Sequence, residues 1–179
     1  MLNYVPLFCR LFIGIVFALS AASKIREFEE FVRATRSLLE AALPRLRLGR
    51  RGLRAVASTV LAAETAICPF VVVSPWWPLG LAASSLLLTL FTAAIAFALR
   101  RGVRAPCRCF GGSATPLGKR HLFRNAALLT ATVAGLALPY EPESDPAGLA
   151  VVIMAAAVAA MVTSRLDDIV GLFATPTTR

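Results

Sequence analysis

The sequence predicts an all-α integral membrane protein: a four-helix transmembrane bundle, a fifth span at the C-terminus, and an amphipathic helix at the interface. Three observations carry that expectation. Of the 179 residues, 58% are hydrophobic and 16% charged, with mean hydropathy +0.72; soluble domains average about 45–50% apolar and about 25% charged. Apolar runs recur near the length of about 20 residues that a membrane-crossing helix needs. The segments between them alternate between basic and non-basic. The same composition excludes disorder, and the length fits one membrane domain, 1–179. The formal charge is +9. Its positive groups fall between apolar runs, so membrane topology accounts for them and no nucleic-acid partner is expected.

The spans are expected at about 5–22, 53–73, 76–99, 122–138 and 147–164. The first lacks a basic leader, and Lys24 follows it where a small-residue cleavage site would stand, so it reads as a retained span. The run 122–138 is the weakest, because Arg124 and Asn125 open it and its fully apolar part begins at Ala126. Segment 23–52 carries Lys24, Arg26, Arg33, Arg36, Arg45, Arg47, Arg50 and Arg51; segment 100–124 carries Arg100, Arg101, Arg104, Arg108, Lys119, Arg120 and Arg124. Segment 73–78 has no charge, and 140–146 has only Glu141, Glu143 and Asp145. Basic loops stay in the cytoplasm. This places the N-terminus outside and the C-terminus inside a multi-pass protein of the cell membrane. Trp76, Trp77 and Tyr140 then fall at the outer boundary, where aromatic belts sit.

Within the first basic segment, Ile25, Phe28, Val32, Thr35, Leu39, Ala42 and Leu46 recur at alternating steps of three and four. That spacing predicts an amphipathic helix over about 25–43, lying on the inner membrane surface or docking a partner. Glu29 and Arg33 are placed to pair at i,i+4 on its other face, and Pro44 should end it near Leu43. Residues 175–179 read as a frayed tail.

The segment Cys107-Arg108-Cys109-Phe110-Gly111 carries the sharpest chemical signal. Two cysteines at i,i+2 can form a strained, labile disulfide. Arg104 and Arg108 favour the reactive thiolate, and Gly111 with Gly112 permits a tight reversal. In a reducing cytoplasm such a pair is redox-active rather than a permanent staple. Two incidental small residues, or half of a metal site, are the alternatives; no metal is assigned. His121 could add one ligand at most and reads as a surface residue.

Glu64, near the middle of the second span, marks a functional site by default, with Arg10 as its expected partner. A structural pair, proton chemistry and quinone chemistry all stay open. No motif requires a cofactor. A quinone would need walls such as Phe17, Phe70 or Phe91 near Glu64. Cys9 and Cys68 fall at similar depth and read as buried core residues, with a second thiol couple as the alternative. Ser20, Ser23 and Lys24, at the inner end of the first span, face the same side as Arg124 and Asn125. They form either a polar site with Cys107 and Cys109 or a set of capping and snorkelling groups.

The chain resembles the MauE family of methylamine-utilisation membrane proteins, within the wider DoxX-like group. The residues that carry the resemblance are Arg10-Leu11 through Ser20, Ser23 and Lys24, then Phe31, Leu43-Pro44, Ala63-Glu64 and, above all, Cys107-Arg108-Cys109-Phe110-Gly111. The stretch from Pro116-Leu117-Gly118 to Arg124-Asn125 follows the same pattern. The family is described with about four spans, so 147–164 is either an added span or a departure from its pattern. The resemblance implies a thiol-linked role in maturing an exported, disulfide-containing protein, with a thioredoxin-like protein or the exported substrate as partner. Cys107, Cys109, Arg108 and Glu64 would be the acting residues. Arg10, Ser20, Ser23, Lys24, Phe110, Gly111, Arg124 and Asn125 would support them. A non-enzymatic assembly factor and a thiol-based carrier of a soft metal are the alternatives.

Overall fold

A computed structural model describes residues 4–102, 118–139 and 145–173 of the chain. The regular structure there is helical: α1 (Tyr4–Arg26), α2 (Phe28–Ala42), α3 (Arg50–Val72), α4 (Trp77–Arg100), α5 (Lys119–Ala137) and α6 (Pro146–Phe173). Four of them, α1, α3, α4 and α6 over Pro146–Leu166, are long and apolar enough to cross a membrane. The protein is therefore an all-α, multi-pass membrane bundle.

Contacts between helices fix their directions. Ser20 and Lys24 of α1 meet Glu64 of α3, whereas Arg10 meets Val71 and Val72, so α1 and α3 run antiparallel. Gly80, early in α4, lies against Val71, late in α3. Ser85 of α4 bonds Thr132 of α5, and Thr92 bonds Asn125, so these two are antiparallel as well. Gly148 lies against Tyr4, which starts α6 at the same end as α1. Direction thus alternates through α1, α3, α4, α5 and α6. One end of the bundle gathers Trp76 and Trp77. The opposite end gathers Lys24, Arg26, Arg50, Arg51, Arg100, Lys119 and Arg120.

The central helix is α1. Its most apolar window is 56% buried, against 22%, 28% and 17% for the other three spans. A helix that is apolar on all sides belongs in the interior. Phe12, Ile13, Val16 and Phe17 of α1 form the core with Ile67, Val71, Leu81, Leu88 and Leu128, and Ala156 and Ala160 of α6 close it.

The run expected at 122–138 forms a helix, α5, which is less apolar than those four. Lys119, Arg120, His121, Arg124 and Asn125 occupy its first turns, so its place is set by packing on α1 and α4 rather than by hydropathy. The Ser85 hydroxyl donates to Thr132 Oγ1 at 2.8 Å across that interface. Replacing Thr132 with Val keeps the shape and removes the bond. The expected cost is about 0.6 kcal/mol, the average for interhelical bonds in a bilayer, read by unfolding in detergent.

The amphipathic helix forms as α2 and ends at Ala42, with Leu43 as its C-cap just ahead of Pro44. Two details of the sequence reading change. Glu27 breaks the chain between α1 and α2 (φ −122°, ψ 45°), which leaves Ile25 exposed in the preceding helix; Leu46 is exposed beyond the C-cap. The buried face keeps Val32 and Thr35 of that seam, with Phe28 and Leu39 packed beside them, and adds Phe31, Ala34 and Ala41, because α2 wedges onto the basic ends of both α3 and α4. The expected Glu29–Arg33 pair is replaced too. Glu29 reaches across to Arg54 of α3, and Arg33 pairs with Glu30 at 3.2 Å.

Candidate functional site

Ser20 and Lys24 stand four residues apart on α1 and so share a face. Helical side chains lean toward their helix N-terminus, which carries the Lys24 ammonium back over Ser20, to whose Oγ it donates at 2.8 Å. From α3, Glu64 completes a ring of three. Its Oε1 accepts from Lys24, and its Oε2 accepts from the Ser20 hydroxyl at 3.3 Å. The ammonium also faces the rings of Phe31 at 5.1 Å and Phe91 at 5.5 Å, within the range of a cation–π contact. Lys24 is 2% exposed and Glu64 1%. Two opposite charges are thus held out of water by two helices and screened by two aromatic rings.

That arrangement corrects the expected Glu64–Arg10 pair. The Arg10 guanidinium donates to the carbonyls of Val71 (3.2 Å) and Val72 (3.4 Å) and lies 4.9 Å from the Trp77 ring centroid. These are end carbonyls of α3, which lack intrahelical partners. They lie roughly 10 Å along the axis from Glu64 at 1.5 Å per residue. Arg10 therefore caps a helix and joins α1, α3 and α4.

Among the other candidates, Asn125 is buried and donates to Thr92 Oγ1 at 3.2 Å, and Arg124 is buried beside it in α5. His121 is buried as well, at 3% exposure, which corrects its reading as a surface residue: α5 turns that face toward the bundle. Ser23 is half-buried and its carbonyl accepts the Glu27 N–H at 3.1 Å. Phe31 and Phe91 as ring partners of Lys24, and Thr92 as partner of Asn125, are the residues sequence reasoning left without these roles. No local spacing pairs residues on different helices.

Cys107, Arg108, Cys109, Phe110 and Gly111 lie outside the described residues, as do Arg104, Tyr140, Glu141 and Glu143. The segment that holds the cysteines joins the end of α4 to the start of α5, both at the basic end of the bundle. Cys9 and Cys68 are free thiols. Cys9 is buried against Gly135, and the Cys68 thiol donates to the Glu64 carbonyl at 3.3 Å. Among the described residues, no group of three or more His, Cys, Asp or Glu stands together as a metal site.

An apolar groove of about 440 Å³ runs between α3 and α4, lined by Ala63, Ile67, Phe70, Gly80, Ala83 and Leu87 among others. Of the three phenylalanines considered for a quinone, Phe70 alone lines it. Phe17 lies in the core, and Phe91 faces Lys24.

A family model described as methylamine utilisation protein MauE matches residues 2–139. The chain belongs to the MauE family. No curated protein and no solved structure matches it. The MauE match takes in α1 to α5, and with them Ser20, Lys24, Glu64 and Asn125. It stops short of α6, which nonetheless packs along α1 as part of the same core. A MauE protein linked to methylamine utilisation, built as a multi-pass membrane bundle, is thus what sequence and fold establish together.

Proposed function

We propose that this MauE protein is a membrane thiol–disulfide redox component supporting the maturation of exported disulfide-containing proteins. The observation that favours this is where the cysteine segment is anchored. Cys107 and Cys109 lie in the connection between α4 and α5, at the basic end of the bundle. The buried Lys24–Ser20–Glu64 ring lies in the half of α1 that runs to that end. Ionisable groups inside a membrane protein are costly and mark functional sites. In the forward step, one thiolate of the pair attacks a disulfide of a thioredoxin-like partner, forming a mixed disulfide. The second thiol resolves it. Cys107 and Cys109 end as a disulfide, and two electrons and two protons leave with the partner's dithiol. Arg108 and Arg104 favour the thiolate. Phe110 and Gly111 support the pair, and Glu64 with Lys24 holds α1 to α3. By the positive-inside rule the basic end is cytoplasmic; the pair draws electrons from inside in the return step, in which a cytoplasmic thioredoxin-like dithiol reduces the Cys107–Cys109 disulfide through a mixed disulfide and is itself left as a disulfide.

A non-enzymatic assembly role is the second reading, favoured by the charged outer face of α2, where Arg33 and Arg36 are 70% and 63% exposed. Thiol labelling in intact cells separates the two, in a variant with Cys9 and Cys68 replaced by Ser. A membrane-impermeant maleimide should label Cys107 and Cys109 only after permeabilisation, and more strongly after mild reduction. Labelling from outside would invert the topology. Thiols that stay reduced under every condition would sink the redox reading in favour of assembly or of a soft-metal carrier.

A further inference from the structure

We propose that the pocket enclosed by α2, the 43–49 connection and the start of α3 binds the phosphate headgroup of an anionic phospholipid. The pocket measures about 290 Å³, just under the usual range of ligand pockets (about 300–1,000 Å³), a size for a headgroup rather than a whole lipid. Arg36 and Arg47 line it together with Leu46, Leu48 and Leu53. Cationic groups thus share one cavity with leucines at the basic end of a membrane bundle. That is the pairing a phosphodiester with attached acyl chains requires.

Charge accounting points the same way. Glu40 also lines the pocket, and it is held by Arg36 at 2.7 Å. Among the described residues, ion pairs take up Arg33, Arg36 and Arg54, while Arg45, Arg47, Arg50 and Arg51 make none. Helix α3 begins on Arg50 and Arg51 with no acidic residue in its first turn and no side chain capping it. Positive charge at a helix N-terminus opposes the helix dipole, so this start is unfavourable until an anion arrives. Clusters of four to eight basic residues beside a membrane span recognise anionic lipid, each contributing about 1 kcal/mol near the surface.

The test is lipid retention by the full chain, purified in neutral detergent and titrated with phosphatidylglycerol or phosphatidylcholine under native mass spectrometry. Phosphatidylglycerol should bind in preference. Arg36→Gln and Arg47→Gln should each weaken it about fivefold, and the double variant about 25-fold. Arg120→Gln, which removes an exposed charge elsewhere at the same end, should leave binding within twofold. Glu40→Gln should tighten binding, because it removes the competing carboxylate and frees Arg36; misfolding does not produce that sign. Equal binding of both lipids, equal losses in Arg120→Gln and Arg47→Gln, or weaker binding in Glu40→Gln would overturn the proposal. Inorganic phosphate that binds as tightly as phosphatidylglycerol in the same titration, and displaces it, would overturn it in favour of a soluble anion.

Discussion

Replacing Lys24 with Met should destabilise the bundle by about 3–5 kcal/mol, the cost of stripping one partner from a buried ion pair. Glu64 would keep the Ser20 hydroxyl and lose the ammonium that neutralises it. The large number measures an uncompensated charge, not the worth of the pair. Well-packed apolar or neutral replacements of both partners are often neutral or stabilising. A Lys24→Met/Glu64→Gln double variant should therefore recover at least half of the loss in detergent unfolding. That recovery separates scaffold from function. If the double variant is stable and Cys107 and Cys109 still cycle, the ring of Ser20, Lys24 and Glu64 only holds α1 to α3. Loss of cycling in a stable double variant ties the ring to the proposed chemistry. A cost below about 1 kcal/mol for Lys24→Met alone, the range of an exposed pair, would show that water reaches the site.

The same residues show how far the sequence could be read. Apolar run length set α1, α3, α4 and α6, because in a bilayer hydropathy over about 20 residues decides spanning. Charge alternation between the runs matches the alternating helix directions. Pro44 marked the end of α2, since proline disfavours helix in the residue before it. Glu64 stood out as a candidate from its residue type alone, and it is buried and paired. Its partner did not stand out, and the reason is axial offset. Counted from the basic ends of their helices at 1.5 Å per residue, Glu64 and Arg10 both sit roughly 20–25 Å up, whereas Lys24 sits roughly 3 Å up. That count assumes α1 and α3 end level. They do not: the first turns of α3, with Leu53 and Ala57, pack against Phe31 and Val32 of α2. This shifts α3 along the bundle until Glu64 meets Lys24. α5 was the weakest run by hydropathy for the opposite reason. Its polar residues are buried by neighbours, which no single-helix measure detects.

The offset between α3 and α4 rests on Gly80, and Gly80→Ala should cost about 1–3 kcal/mol, the usual penalty for overpacking. A β-carbon there would meet Val71 Cγ2 at 2.8 Å, Val71 N at 2.9 Å and the Phe70 carbonyl carbon at 3.1 Å. Two of those atoms are backbone, so no side-chain rotation relieves the clash and the helices must separate. Gly52 is the contrast. Its β-carbon would meet the far end of Leu48, at 3.3 Å, which can move aside. Gly52→Ala should then be neutral or gain up to about 1 kcal/mol from helix propensity. Separating α3 from α4 has a consequence beyond stability, because Glu64 rides on α3 and Phe91 on α4, and both face Lys24. Gly80→Ala should therefore weaken the coupling between Lys24 and Phe91 in a double-mutant cycle, while Gly52→Ala leaves it unchanged. Equal unfolding midpoints for the two glycine variants would mean that α3 and α4 can part without strain, and that small-residue contact does not set their spacing.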